Sequence, residues 1–374
     1  QNRRINLLPD CIINQIAAGE VVDGPASVVK ELIENSLDAG STDICVNLLS
    51  GGLETIEVID NGRGIQKNDL KAAITRHHTS KLDEKSDVLK ISSLGFRGEA
   101  LASITSVAEV ELSSRHESDL YPWMLSTKPD SLNVEPVPSA GNIGTKICIN
   151  NLFFNVPARR AFLKQPRTEF FKIKILIRQF AFAFPRVRFR LNQAGLRGLS
   201  LSPARTMKLS DPRWHTLFGN NLSKSLVPVE SEYFGGKISG WVSNTSFPSS
   251  RSDRQCLTIN GRIVRDKVVQ HAVKSAYGSL VANGEFTFYA LSIVIPAQNV
   301  DVNVHPAKLE VKIKNSRELY DLVYISVNNA LGVNKIILPN DGQNETPSSD
   351  GRSLNYKRDA QVYSQSSPLS FPGQ

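Results

Sequence analysis

The chain is poor in cysteine, methionine and aromatic residues. Its 374 residues include four Cys, two Met and three Trp, and Phe, Trp and Tyr together make up 7%. Cys11, Cys45, Cys148 and Cys256 stand far apart with no C-x-x-C spacing. That pattern excludes a disulfide framework or a cysteine-held zinc from the reading and predicts free thiols. No apolar run approaches the ~20 residues of a membrane-crossing helix, so no membrane partner is expected. No basic-then-apolar leader opens the chain. It begins at Gln1 rather than Met, which predicts a fragment of a longer protein. Together these absences predict a cytoplasmic protein.

Acidic residues are scarce in one window. From Pro157 to Ser210 there are thirteen Lys or Arg and one acid, Glu169, whereas the whole chain carries a net charge of only +8. The remainder is therefore net acidic. A basic block on an acidic chain predicts a polyanion partner, bound weakly, salt-sensitively and without base reading. Within it, Phe162, Phe170, Ile173, Ile177 and Phe180 share a helical face, with Arg167, Lys174 and Arg178 among them. Arg186, Arg188 and Arg190 alternate with Val187 and Phe189, as on a strand whose cations all point one way.

The most informative stretch is S-V-V-K-E-L-I-E-N-S-L-D-A-G, residues 27–40. Pro25 before it and Gly40 at its close mark a helix with defined ends. Val28, Val29, Leu32, Ile33 and Leu37 supply its apolar surface. Glu31, Glu34, Asn35 and Asp38 fall at i, i+3, i+4 and i+7, on one stripe. Such a stripe is ordinarily a solvated face. This one contains no Lys or Arg to neutralise it, and it places an amide one turn after an acid. A hard cation can use the amide oxygen while the acid activates a water.

Two further stretches follow. T-I-E-V-I-D-N-G-R-G-I (55–65) reads as a strand ending in Asp60, with Gly62 and Gly64 allowing a ligand close to the backbone. The ordinary alternative is a D-N-G hairpin turn. S-L-G-F-R-G-E-A-L (93–101) puts glycines before a helix, where backbone N–H groups bind phosphate. Asp43–Leu49 pairs with Glu54–Asp60 through Gly51-Gly52, and Val107–Ser114 and Lys146–Asn150 read as further strands. Residues 66–94 are polar and lid-like, and residues 115–140 are loop-rich. His77-His78 has no further ligand at zinc spacing, so a metal reading is not adopted. Beyond residue 205, Lys237–Val242, Cys256–Ile259 and Phe286–Ile295 read as strands, and Val264–Ser279 and Ser316–Leu331 as helices. Residues 334–374 are polar and read as a disordered linker.

An acid–Asn helix, an Asp-x-Gly-x-Gly strand end and a Gly-rich loop before a helix, in that order, resemble the ATP site of the GHKL superfamily of gyrase, Hsp90, histidine kinases and MutL. I-A-A-G-E-V-V (16–22), E-N-S-L-D-A-G (34–40), H-H-T-S-K (77–81), F-R-G-E-A-L (96–101), N-V-P-A-R-R (155–160) and D-V-N-V-H-P-A-K (301–308) narrow the resemblance to the bacterial MutL family. It spans about residues 4–333.

The resemblance implies an α+β or α/β protein: a GHKL (Bergerat) ATP-binding sandwich at 1–200, then a ribosomal-protein-S5-domain-2-like domain at 205–333. It implies an ATPase using ATP and Mg²⁺, with Glu31 and Lys308 catalytic and Asn35 holding the metal. Asp38, Ala39, Gly62, Gly64 and Ile65 would line the nucleotide, and Asp60 and Thr145 would hold the adenine. Thr79, Ser80 and Lys81 would approach the phosphates from the lid. Leu94, Gly95, Phe96, Arg97, Gly98, Glu99, Ala100 and Leu101 would cradle them, and Lys308 would reach the γ-phosphate. The N-terminal segment would join an ATP-dependent dimer contact, and a C-terminal dimerisation domain would lie beyond this chain. The implied partners are DNA, a second copy, a MutS-type mismatch recognition protein and a downstream endonuclease or helicase. Arg159, Arg160, Lys164, Arg167, Arg178, Arg262 and Arg265 are the expected DNA contacts. The alternatives are a topoisomerase or chaperone subunit, a nucleotide-binding scaffold without hydrolysis, and a plain DNA-binding module.

Overall fold

Helix α1 spans Pro25–Asp38, with Pro25 where a missing N–H costs nothing. The Ser27 hydroxyl oxygen accepts the Gly24 N–H at 3.1 Å and donates to the Gly24 carbonyl at 2.7 Å, fixing the entry. The exit is a Schellman turn. Gly40 is left-handed (φ 78°), its N–H bonds the Leu37 carbonyl, and the Ser41 N–H bonds that of Ser36. The computed structural model describes residues 19, 22–75, 78, 100–129, 134–244, 255–281, 287–301 and 312–332. The linker expected at 334–374 lies outside the described residues.

Strands β1 (Asp43–Leu49) and β2 (Thr55–Asp60) pair antiparallel, joined through left-handed Gly51 and Gly52. Then come α2 (Ala100–Thr105), β3 (Glu109–Arg115), β4 (Trp123–Thr127), β5 (Val137–Pro138) and β6 (Gly144–Asn150). Helices α3 (Pro157–Phe162) and α4 (Pro166–Ala183) lead to β7 (Arg188–Asn192) and β8 (Leu199–Leu201). The eight strands form one sheet in the order β5-β4-β3-β6-β2-β1-β7-β8. Within this sheet, among the described residues, only β1 and β7 pair in parallel. Residues 115–140 are therefore less loop-like than expected. Leu125 and Thr127 alternate into the core along β4, a signal masked by the surrounding prolines.

Apolar positions of α1 and α4 pack on one face of this sheet. Val28, Val29, Leu32 and Ile33 meet Val46, Ile56, Val58 and Ile149, and Phe170, Ile173, Ile177 and Phe180 complete the core. Each such side chain contributes roughly 1.5–3 kcal/mol when fully buried. Phe162 does not join them; it is 82% exposed. Leu163 is extended after α3 and Pro166 starts a new helix, so Phe162 lies on a different axis from Phe170. Likewise β7 begins at Arg188, so Arg186 stays off the strand.

After α5 (Pro212–Phe218), β9 (Leu226–Tyr233), β10 (Gly236–Ser243), β11 (Cys256–Ile259), β12 (Arg262–Ile263) and β13 (Tyr289–Val294) form a second sheet, ordered β12-β11-β13-β10-β9. Helices α6 (Lys267–Tyr277) and α7 (Ser316–Leu331) cover it. The first core continues through Trp214 and Leu217 to Trp241 and Ala290 of this sheet. Trp214 and Trp241 have ring centroids 4.8 Å apart, and Phe182 and Phe218 pack edge-on to Trp241. Arg213 lies beneath them, 3% exposed. Its guanidinium donates to the carbonyls of Ala181, Phe184, Val187, Leu201 and Ser202. Burial lowers its pKa to about 10, partly opposed by Asp211.

Candidate functional site

The end of α1 and the end of β2 meet at Asp60. The Ser36 hydroxyl donates to Asp60 Oδ2 at 2.8 Å, and the Gly62 N–H donates to Oδ1 at 2.9 Å. An ionised carboxylate has about four acceptor positions, so both oxygens keep capacity for another donor. Thr145 on β6 stands opposite Asp60 in register. Its hydroxyl lies 3.0 Å from that of Ser114, and the Ser114 oxygen accepts the Ile65 N–H at 2.8 Å. Asp60, Thr145, Gly62 and Ile65 thus form one polar cluster.

The glycines make this cluster possible. A Cβ at Gly62 would lie 2.6 Å from Ser41 Oγ and 2.8 Å from the Ala39 methyl. Gly64 is left-handed (φ 75°), and a Cβ there would sit 2.1 Å from the Arg115 carbonyl oxygen. The Ala39 carbonyl accepts the Arg63 N–H at 3.1 Å, tying the exit of α1 to this turn. The bare hairpin-turn reading of D-N-G does not describe this arrangement: β2 pairs with β1 and β6, far along the chain on the second side.

The acidic stripe of α1 has cations after all. Lys30 Nζ lies 2.9 Å from Glu34 Oε1 and 3.5 Å from Glu31 Oε1. Lys30 and Glu34 are 8% and 7% exposed. Burial alone would lower the Lys30 pKa, but Glu34 and Glu31 outweigh it and raise the value. Arg262 reaches the same stripe from the second sheet. Burial lowers its pKa while the charges of Glu34 and Asp38 oppose that shift. The sequence reading failed because Lys30 lies one position off the stripe and Arg262 is distant in the chain. Ser36 and Ser114 were also missed. A serine amid helix-forming residues, one turn after Leu32, was the available signal for Ser36.

Glu31, Asn35, Asp38 and Ala39 are half-buried at this end of α1. Leu101 is buried at the start of α2, and Ala100 opens that helix half-buried. Thr79, Ser80, Lys81, Leu94, Gly95, Phe96, Arg97, Gly98, Glu99 and Lys308 lie outside the described residues. Most of the N-terminal segment does too. Among the described residues no cluster of three His, Cys, Asp or Glu could hold a metal. Mg²⁺ takes hard oxygen donors, and the side-chain oxygen of Asn35 is of that type.

The cations expected to contact DNA separate into groups. Arg160, Lys164 and Arg167 are exposed, and Arg167 stacks over the Phe171 ring at 5.9 Å. Arg159 is half-buried and donates to the Val22 carbonyl at 3.5 Å. Arg178 is half-buried and close enough to bear on the buried thiol of Cys256, whose pKa burial raises to about 12. Arg188 and Arg190 share Asp43, at 3.6 and 3.0 Å. Arg265 is exposed and lines a cavity of about 530 Å³ with Lys267, His271 and Lys274. Arg262 faces acids instead.

A family profile described as histidine kinase-, DNA gyrase B- and HSP90-like ATPase matches residues 24–136. One described as DNA mismatch repair protein, C-terminal domain, matches 214–332. DNA mismatch repair protein MutL of Pseudomonas aeruginosa is 43% identical over 329 residues, covering 88% of this chain and 52% of that protein. The chain spans about half the length of the curated relatives it matches. The solved Aquifex aeolicus MutL ATPase domain complexed with ADP aligns with TM-score 0.53 at 27% identity, covering 74% of this chain and 93% of that one. The N-terminal domain of a DNA repair protein aligns with TM-score 0.72 at 24% identity, covering 86% and 98%, a likeness of fold. The architecture is thus that of a GHKL-type sandwich followed by an S5-like α/β domain.

Proposed function

Because this chain belongs to the MutL family of DNA mismatch repair proteins and carries its GHKL-type ATPase domain, we propose that it binds and slowly hydrolyses ATP to govern its own assembly. The observation that carries this reading is the carboxylate of Asp60, fixed by Ser36 and Gly62 and set beside Thr145. A fixed acceptor of that kind suits the exocyclic amino group of adenine. Asp38, Ala39, Gly64 and Ile65 complete its surroundings. Glu31 takes a proton from the attacking water, and Asn35 holds Mg²⁺. When bound, Mg²⁺ neutralises phosphate charge. The loop from Leu94 to Leu101 cradles the phosphates, Thr79, Ser80 and Lys81 approach from a lid, and Lys308 contacts the γ-phosphate.

ATP bound beneath the lid then lets two copies meet, with the N-terminal segment in their contact, and close on DNA. The exposed cations Arg160, Lys164, Arg167 and Arg265 contact phosphates without reading bases. Such a clamp links a MutS-type recognition protein to a downstream endonuclease or helicase in the bacterial cytoplasm. The domain limits are 1–200 and 205–333. A competing reading is a scaffold that binds nucleotide without hydrolysis, and one observation favours it: the Glu31 carboxylate already has an ammonium partner, Lys30 Nζ at 3.5 Å.

Calorimetry of ATP binding by Asp60→Asn tests the central assignment. Affinity falls at least about tenfold, since a bound donor loses a charged acceptor. Unchanged affinity would remove Asp60 from the site. Turnover below the ~10 s⁻¹ of ordinary enzymes is expected from a long-lived closed state; a faster enzyme is not a clamp of this kind.

A further inference from the structure

Helix stability does not account for the ion pair inside α1. Lys30 and Glu34 are almost fully buried. Taking two charges out of water costs several kcal/mol each, and an apolar pair of equal volume is often as stable or more so. The order Lys then Glu at i and i+4 is also the less favourable one for a helix. The pair does have one further product. Glu34 Oε1, 2.9 Å from Lys30 Nζ, pins a side chain that is otherwise flexible. The same ammonium, with three donors, reaches Glu31 Oε1 at 3.5 Å. Adjacent residues on a helix point about 100° apart, and Lys30, held across the stripe by Glu34, bridges that angle to Glu31. Glu31 keeps 12% side-chain exposure, so it is nearly enclosed yet open to a water. Its Oε1 faces Lys30, which leaves Oε2 for the proton.

We propose that Lys30, anchored by Glu34, is a positioning residue that fixes the Glu31 carboxylate for attack of water on ATP. The inference rests on the assignment of Glu31 as general base. Among the described residues, the charged groups bearing on this device include Glu31, Glu34 and Asp38 on α1 and Arg262 on β12. Arg262 also interacts electrostatically with Glu34, so two cations bear on that carboxylate. What the ammonium supplies to Glu31 is geometry, and a misplacement of about 1 Å can cost a hundredfold in rate.

The test is steady-state ATP hydrolysis with sites counted by tight nucleotide binding. Lys30→Met lowers kcat at least about tenfold with KM within about twofold. Lys30→Arg recovers part of the rate. Lys30→Met/Glu34→Met, an apolar replacement of the pair, keeps the fold by its melting transition but does not recover kcat. A Lys30→Met enzyme with wild-type kcat overturns the proposal, and so does recovery of kcat in the double variant, which shows a packing role alone. Glu31→Ala, run beside them, separates the two ideas. If it hydrolyses ATP normally, the assignment of the base fails, whatever Lys30 does.

Discussion

At the residue scale, the site depends on backbone that only glycine supplies. Gly144 has φ 125°, and a Cβ there would sit 2.1 Å from the Asp60 carbonyl oxygen. Gly144→Ala is expected to cost about 1–3 kcal/mol in urea unfolding and to weaken ATP binding, because β6 must shift from Asp60. Gly40→Ala has φ 78° but no atom within 4 Å, so it costs only the left-handed penalty of about 1–2 kcal/mol and leaves binding intact. Equal effects on ATP affinity from the two variants would show that Gly144 is not part of the site. Asp60, Gly62 and Gly64 were legible in the sequence because their spacing is local. Ser114, Lys30 and Arg262 were not, because their roles depend on register across strands or on a helix angle no motif encodes.

At the element scale, α5 is fixed by one acid. Asp211 Oδ1 accepts the Arg213 N–H, and Oδ2 accepts those of Arg205 and Thr206. The Arg213 and Thr206 bonds hold its pKa below the usual carboxylate value, against the opposing effect of burial. The folded pKa is thus below the unfolded one. Its stabilisation is fully present above the unfolded pKa of about 4 and is lost as pH falls through the folded value. Acid unfolding should therefore separate wild type from Asp211→Asn above pH 5 and bring the two together near pH 2. A constant gap across that range contradicts the linkage. The long helices and β1, β2, β6 and β10 were legible from periodicity. β4 was not, since its buried positions stand among prolines, and α3 was merged with α4 because both carry aromatics at helical spacing.

At the scale of the whole molecule, charge composition pointed to a polyanion partner but not to which cations are available. Arg188 and Arg190 are engaged by Asp43, and Arg262 faces the acidic stripe of α1. Only placement of distant segments tells these from Arg160 and Arg167. The expected outcome is that Arg160→Ala or Arg167→Ala weakens DNA binding and lowers the slope of log affinity against log salt by about 1 for each lost phosphate contact. Arg188→Ala leaves the slope unchanged. A slope that falls equally for Arg188 would show that Asp43 does not occupy it. Light scattering should show a monomer that becomes a dimer only with Mg²⁺ and a non-hydrolysable ATP analogue. A mass indifferent to nucleotide removes the clamp.

The measurement that bears most directly on the central claim is hydrolysis of bound ATP by Glu31→Ala, with ATP affinity determined on the same preparation. Affinity should stay within a few-fold of wild type while hydrolysis slows at least about a hundredfold, the scale of a lost general base. Hydrolysis at the wild-type rate, with ATP still bound, would contradict it and leave α1 a binding element without chemistry.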